Sequence, residues 1–311
     1  MPLFLLRRLA GGIVLTVAVT AATAMLIFAG GADIARNIAG QNAQPEQISA
    51  LTEKLGLDRP PLVQYADWFG SAVTGDFGRS FVTNQPVAGA LSDRLPATLS
   101  ILVLAVVLTA VLSALLGALA ALRRGWIDRM VQVFNVVGAA LPTFWVGLIL
   151  VLVFSINLGW LPATGFTPIT QNPGRWFAGL VLPVIALVIG SLGTAAIVRS
   201  SIIDVSRMDF VRTLRAHGLS PSEVLFKHIF RNAAPPFLAI MSMQVIALFG
   251  GAVIIERVFA IPGLGTLANN AAQTGDVPMV LGVVTVTVIV IVIVNLLLDL
   301  ITGWLNPKVR V

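Results

Sequence analysis

Residues 209–236 read DFVRTLRAHGLSPSEVLFKHIFRNAAPP, a long polar stretch set between strongly apolar segments. Val211, Leu214 and Ala216 fit one apolar helix face, and Gly218 follows where a left-handed residue ends a helix, because glycine carries no Cβ penalty there. A second helix starts at once. Ser220 is placed to accept from the orphan amides of its first turn, Pro221 fits the first helical position, and Glu223 is placed to return the bond. Leu219 before the cap and Val224 at the fourth helical position make a hydrophobic staple that sets the angle between the helices. The expectation is two short helices with a specified joint.

What flanks the joint decides its setting. The chain is 311 residues long, 57% hydrophobic and only 11% charged, against about 25% charged in soluble domains. It reads as a membrane protein. Uncharged or nearly uncharged runs long enough to cross a bilayer occupy 9–28, 97–122, 131–154, 176–198, 237–255 and 280–304. Pro142 and Pro183 fall inside the third and fourth runs, where each is expected to kink a helix. The run at 9–28 exceeds the 7–15 residues typical of a signal-peptide core and is read as a retained first span.

The expected fold is therefore all-α, with six transmembrane helices and an extracytoplasmic insertion between the first two. The organisation is a cytoplasmic N-terminus and first span over 1–29, a cap segment over 30–96, and a five-span core over 97–311 carrying the loop at about 200–236. Within the cap, Pro45-Glu46 opens a short helix with Ile48, Leu51 and Leu55 on one face, and a second helix carries Val63, Trp68 and Phe69. Two such helices are too small for a core of their own, so they are expected to pack on the span ends.

Charge gives the orientation. The net charge of +6 is scattered through the inter-span segments. With both termini inside, the cytoplasm holds Arg7, Arg8, Arg123, Arg124, Arg129, Arg199, Arg207, Arg212, Arg215, Lys227, Arg231, Lys308 and Arg310, which is 13 of the 20 basic residues. A helix pair tethered between spans at both ends is not placed to read DNA with Arg212, Arg215, Lys227 and Arg231, so nucleic acid is not an expected partner. The lipid bilayer is.

The residues exclude several energy sources. None of Lys54, Lys227 and Lys308 stands in the Gly-Lys-Ser/Thr context of a phosphate-binding loop. An ion-coupled secondary carrier needs ionisable groups near the midplane, and the spans contain one acid, Asp299, near the end of the sixth. Energy must arrive from a partner, with the capped loop as its socket. A non-transporting scaffold that recruits a soluble partner is the other competing reading, though spans interrupted by proline and glycine suit a moving pathway better.

Asn295 and Asp299 lie one turn apart on one helix face, as a cytoplasmic-end latch or as hydrated interfacial groups. Gln244, deepest polar residue of the fifth run, either faces the translocation path or bonds a neighbouring helix. Glu256 and Arg257 follow at the far-side mouth, as part of an outer gate or as an interfacial ion pair. His217 and His228 have no metal-ligand spacing, there is no cysteine, and no nucleophilic triad or carboxylate pair stands out. The expectation is neither an enzyme nor a metal site.

RTLRAHGLS at 212–220 resembles the EAA loop of permease subunits of ATP-binding-cassette (ABC) importers, in the dipeptide and oligopeptide branch, with Leu214 and His217 where alanine and lysine are usual. GLDRP at 56–60, the QY-x-x-W pattern at 64–68, GD-x-GRS at 75–80, LPTFWVGL at 141–148, VFAIPGLG at 258–265 and NLLLDLITGWLNPKVR at 295–310 resemble the same family. Gly30-Gly31-Ala32-Asp33 stands where a proline-containing turn is usual. The resemblance implies a type I importer permease, paired with a homologous second permease, generally a different chain. It implies two ATPase subunits that hold the ATP and Mg, an extracytoplasmic peptide-binding protein, and alternating access. It makes Arg212, Arg215, Ala216, His217, Gly218, Leu219, Ser220 and Glu223 the ATPase-coupling loop, with Ala216, Gly218 and Leu219 at buried points of that contact. Di- and oligopeptides are the implied cargo; other members carry nickel, haem or glutathione.

Overall fold

The computed structural model describes residues 2–305 other than 41 and 124. Arg124, Lys308 and Arg310 of the charge count, and the end of the run at 295–310, lie outside the described residues. Among the described residues the chain is helical throughout, with one isolated β-bridge between Arg79 and Pro86. Five helices are long and apolar enough to cross a membrane, and a sixth span results if one sharply bent pair is counted as a single crossing.

In chain order the helices are α1 (Pro2–Phe28), α2 (Gly31–Ala39), α3 (Pro45–Lys54), α4 (Pro61–Val73), α5 (Val87–Leu122), α6 (Trp126–Ala140) and α7 (Thr143–Leu150). After them come α8 (Pro173–Gly190), α9 (Thr194–Ser206), α10 (Asp209–Ala216), α11 (Pro221–Glu223), α12 (Phe230–Val258), α13 (Leu264–Thr274) and α14 (Val277–Leu305). Wide π-helical turns extend α7 through Val151–Asn157 and join α11 to α12 through Val224–Ile229. Contacts divide the chain into two units, one holding Leu6–Thr98 and Ile261–Val292, the other holding Leu99–Ala260 and the end of α14 from Ile293.

The first unit is built on the last turns of α1 and the first turns of α14. Ile48, Leu51 and Leu55, the face expected of α3, pack with Trp68 of α4 against buried Ala24 and Phe28 of α1 and Val277 and Leu281 of α14. Tyr65 adds a polar tie, its hydroxyl lying 2.9 Å from Thr20 Oγ1 in α1. The loop after α4 is pinned by a carboxylate. Asp276, 4% exposed, accepts from the Phe81 amide at 3.0 Å and from the Ser80 hydroxyl, and that hydroxyl accepts in turn from the amides of Val82 and Thr83. A buried charge is tolerable when it accepts this many bonds.

In the second unit α9 packs along α12, α7 packs on α8 and α12, and α6 packs on α8 and α9. Close approach of α5 and α9 depends on a missing side chain. A Cβ on Gly117 would lie 2.5 Å from Val198 Cβ and 2.6 Å from the Ala195 carbonyl, and small residues are what allow membrane helices to come this near. The core below is Val198, Ile202 and Val205 of α9 with Val211, Val224, Ile229 and Ala233.

Three boundaries differ from the sequence expectation. The third run was expected to be one kinked span, yet α6 and α7 meet at 101°. Leu141 is extended, φ −84° and ψ 125°, and Pro142 opens α7; the proline ring excludes its predecessor from helical geometry, so the helix stops and restarts. The fourth run also breaks, α8 ending at Gly190 and α9 starting at Thr194. The second span begins earlier than expected, because Val87 and Leu91 are buried against Leu264, Ala271, Met279, Val280 and Val283.

Candidate functional site

The joint at 209–224 is built as its residues dictate. The Gly218 amide donates to the Arg215 carbonyl at 3.0 Å and the Leu219 amide to the Leu214 carbonyl at 3.3 Å, with Gly218 at φ 81°. That is a full Schellman closure, and Leu214 and Leu219, its hydrophobic partners, share one apolar cluster. Leu219 and Val224 share it too, as the staple requires. Ser220 Oγ accepts from the Glu223 amide at 3.2 Å. The return arm does not form; the Glu223 carboxylate lies instead 3.4 Å from Lys227 Nζ. Pro221–Glu223 is one turn, and the wide turns that follow replace the regular second helix expected from the spacing.

One face of α10 is thereby committed inward and the other outward. Val211 is fully buried and Leu214 half-buried, while Arg212, Arg215, Ala216, His217, Gly218, Ser220 and Glu223 are exposed. Ala216 is not on the packed face, since five residues from Val211 is about 140° around a helix. Leu219 packs on the chain's own core. The result is a short basic helix whose tilt is fixed from beneath by Val211, Leu214, Leu219 and Val224. The ion pair between Asp209 and Arg212, 3.5 Å and exposed, contributes little.

Behind the joint, α9 is anchored twice. Arg199 donates to Asp128 at the start of α6 through a two-pronged pair, 2.5 and 2.6 Å, with the side chains 27% and 15% exposed. The carboxylate, chiefly through its hydrogen bond, raises the Arg199 pKa above its ordinary range. At the N-terminal end of α9, the α8–α9 break is held by a polar chain. Gln244 Nε2 of α12 donates to Ser191 Oγ at 2.8 Å, Ser191 donates to the Leu187 carbonyl, Thr194 donates to the Ser191 carbonyl, and the Thr194 hydroxyl meets that of Ser113 in α5. Gln244 thus bonds a neighbouring helix while remaining half-buried.

The remaining sequence candidates do not gather with the joint. Glu256 is fully buried on α12, whereas Arg257 beside it is exposed. Asn295 and Asp299 are half-buried on one face of α14. Among the described residues no cluster of His, Asp or Glu has the makings of a metal site. Asp128, Ser113, Ser191, Thr194 and Asp276 were not singled out from sequence; each is defined by a partner distant in the chain. A serine or threonine inside an apolar run is the only signal three of them give.

Residues 113–311 match the family described as binding-protein-dependent transport system inner membrane component, and residues 1–102 match its N-terminal companion. The chain belongs to this family of inner membrane transport components. Family membership makes it a multi-pass permease subunit of a transporter that works with a binding protein. It is 36% identical over 312 residues to a Brucella abortus (strain 2308) protein named for a peptide transport system permease, covering 100% of this chain and 99% of that one. It is 34% identical over 294 residues to the di/tripeptide transport system permease protein DppB of Pseudomonas aeruginosa (strain UCBPP-PA14), 87% of each chain. In structure it resembles a chain of the MetNI methionine ABC transporter in its inward-facing conformations, with a TM-score of 0.54 and 16% identity over 70% of this chain and 96% of that one. That likeness is one of fold.

Proposed function

We propose that this permease forms, with a second homologous permease, the membrane pathway of an ATP-driven importer for di- and oligopeptides. Separate ATPase subunits receive the exposed face of α10 from the cytoplasm, and an extracytoplasmic peptide-binding protein delivers the cargo. Both termini are cytoplasmic in this reading, and ATP with its Mg is held and hydrolysed by the partners. The observation that carries it is the joint: α10 and its C-cap present Arg212, Arg215 and His217 as exposed residues while Val211 and Leu214 lock the helix to the core of α9 and α12. A push on such a helix is transmitted to spans rather than absorbed by a loop.

Support for peptide cargo comes from the relatives named for peptide transport. The test is purification of the tagged chain from its native membrane in mild detergent, then ATP-dependent uptake of labelled dipeptides and pentapeptides by the reconstituted assembly. Co-purification of a second permease and an ATPase, with uptake abolished without ATP, is the expected result. A chain that comes alone and moves solute under an ion gradient overturns the reading.

A further inference from the structure

At the root of the joint, where the wide turns run into α12 and α14 ends, six residues line a groove: Phe226, Lys227, Phe230, Arg231, Trp304 and Leu305. Its volume is about 420 Å³. Two aromatic side chains stand out of the protein here, Phe226 at 69% exposure and Trp304 at 70%, and Phe226 is stacked at an angle on Phe230 with ring centroids 5.4 Å apart. Two cations sit among them. Arg231 spends its Nε on the Leu305 carbonyl at 3.0 Å, and among the described residues nothing else takes its two terminal nitrogens. Lys227 faces one acid, Glu223, at 3.4 Å with both side chains exposed, a weak tie that a stronger anion displaces.

Pro221–Val258 and Val277–Leu305 are both long and apolar enough to cross a membrane. Residues 226–231 precede the apolar run at 237–255 by a few turns and 304–305 close the run at 280–304, so with both helices crossing, the groove falls toward the headgroup side of the bilayer. Aromatic rings and basic side chains together at that depth are the pattern of an interface anchor, and acidic headgroups are attracted to such cations. We infer that the groove binds the headgroup of an acidic phospholipid, whose phosphate is held by Arg231 and Lys227 and whose glycerol and upper acyl carbons lie on Phe226, Phe230 and Trp304. Bound there, the lipid bridges the root of the joint to the end of α14 and braces α10 from the membrane side.

The test uses the assembly as purified, and its first readout is independent of what solute it carries. Wild type, Lys227→Gln, and the double variant Lys227→Gln with Arg231→Gln are extracted mildly and their retained lipid measured by native mass spectrometry, then reconstituted in phosphatidylcholine vesicles with and without 30% phosphatidylglycerol, a fraction of roughly the size that gives a charged leaflet. Expected is retained phosphatidylglycerol in wild type, a several-fold loss in Lys227→Gln and near-complete loss in the double variant. ATP hydrolysis by wild type rises several-fold with phosphatidylglycerol, and that of the double variant does not. Lys227→Gln removes only an exposed pair, so its result stands even where the double variant folds poorly. Equal retention and equal stimulation in all three proteins overturn the proposal. So does a double variant that keeps its lipid but sheds the ATPase, which makes the groove a protein-docking face.

Discussion

Arg199 and Asp128, 71 residues apart, meet through two parallel hydrogen bonds and fasten the middle of α9 to the start of α6. Neither side chain is more than 27% exposed, so removing one leaves the other a poorly hydrated charge. Asp128→Asn is expected to cost about 1.5–3 kcal/mol, read as a lowered thermal midpoint of the purified protein. Arg199→Lys keeps the charge but loses the fork and should fall between. The raised pKa of Arg199 fixes the sign with pH. Its share of stability is fully present below the ordinary arginine value and is lost only as pH rises through the higher folded one, so the Arg199 side of the difference should be flat from pH 7 to pH 9.

Gly218 sits at φ 81° with open space where a Cβ would go, so substitutions there act through backbone strain alone. Gly218→Asn, tolerant of the left-handed region, should retain near-normal coupling. Gly218→Val should strain the joint by about 1–2 kcal/mol, leave membrane insertion intact, and lower ATP-dependent uptake and ATPase co-purification together. Normal values of both in the valine variant would refute a coupling role for this joint.

Gln244→Leu separates the two readings of that residue. Ser191 still donates to the Leu187 carbonyl without it, so stability should change by only about 0.6 kcal/mol, the average for a membrane side-chain hydrogen bond. If the amide also faces the pathway, uptake falls severalfold at unchanged thermal midpoint. Unchanged uptake confines Gln244 to packing.

Asp276 should prove essential to the order of the loop at 78–86. The chain is cysteine-free, so Val82→Cys supplies a single reporter on that loop. Adding Asp276→Asn weakens the acceptor of Ser80 and Phe81 by about 1–3 kcal/mol, and labelling of Val82→Cys by an impermeant maleimide should become markedly faster. Equal labelling rates would show that the loop holds without its carboxylate.

What could be read from sequence follows from how local each feature is. The Schellman closure, the Ser220 cap and the Leu219–Val224 staple involve residues within six positions of one another, and all three are legible in RTLRAHGLSPSEV. The apolar runs are legible because the bilayer sets their length. The sharpness of the bend at Leu141–Pro142 was not, since proline marks an interruption but neighbouring helices decide its angle. The burial of Glu256 and exposure of Arg257 depend on what surrounds α12, which adjacent letters do not record. Ser113, Ser191 and Thr194 are ordinary until three helices bring them together.

The Ser80–Asp276 contact joins residues 196 positions apart, and the core beside it takes Val277 and Leu281 from the last helix. During synthesis, α3 and α4 emerge long before that helix exists. At ribosomal speeds of about 5–20 residues per second, roughly 10–40 s pass before the partner is made. For that interval the apolar face of Ile48, Leu51 and Trp68 lacks its final cover, and the segment is a nascent-chain client of whatever protects exposed apolar surface on its side of the membrane. A ribosome stalled before residue 276 therefore leaves a protein whose first spans are in place and whose segment of α3 and α4 is the part quality-control proteases meet first.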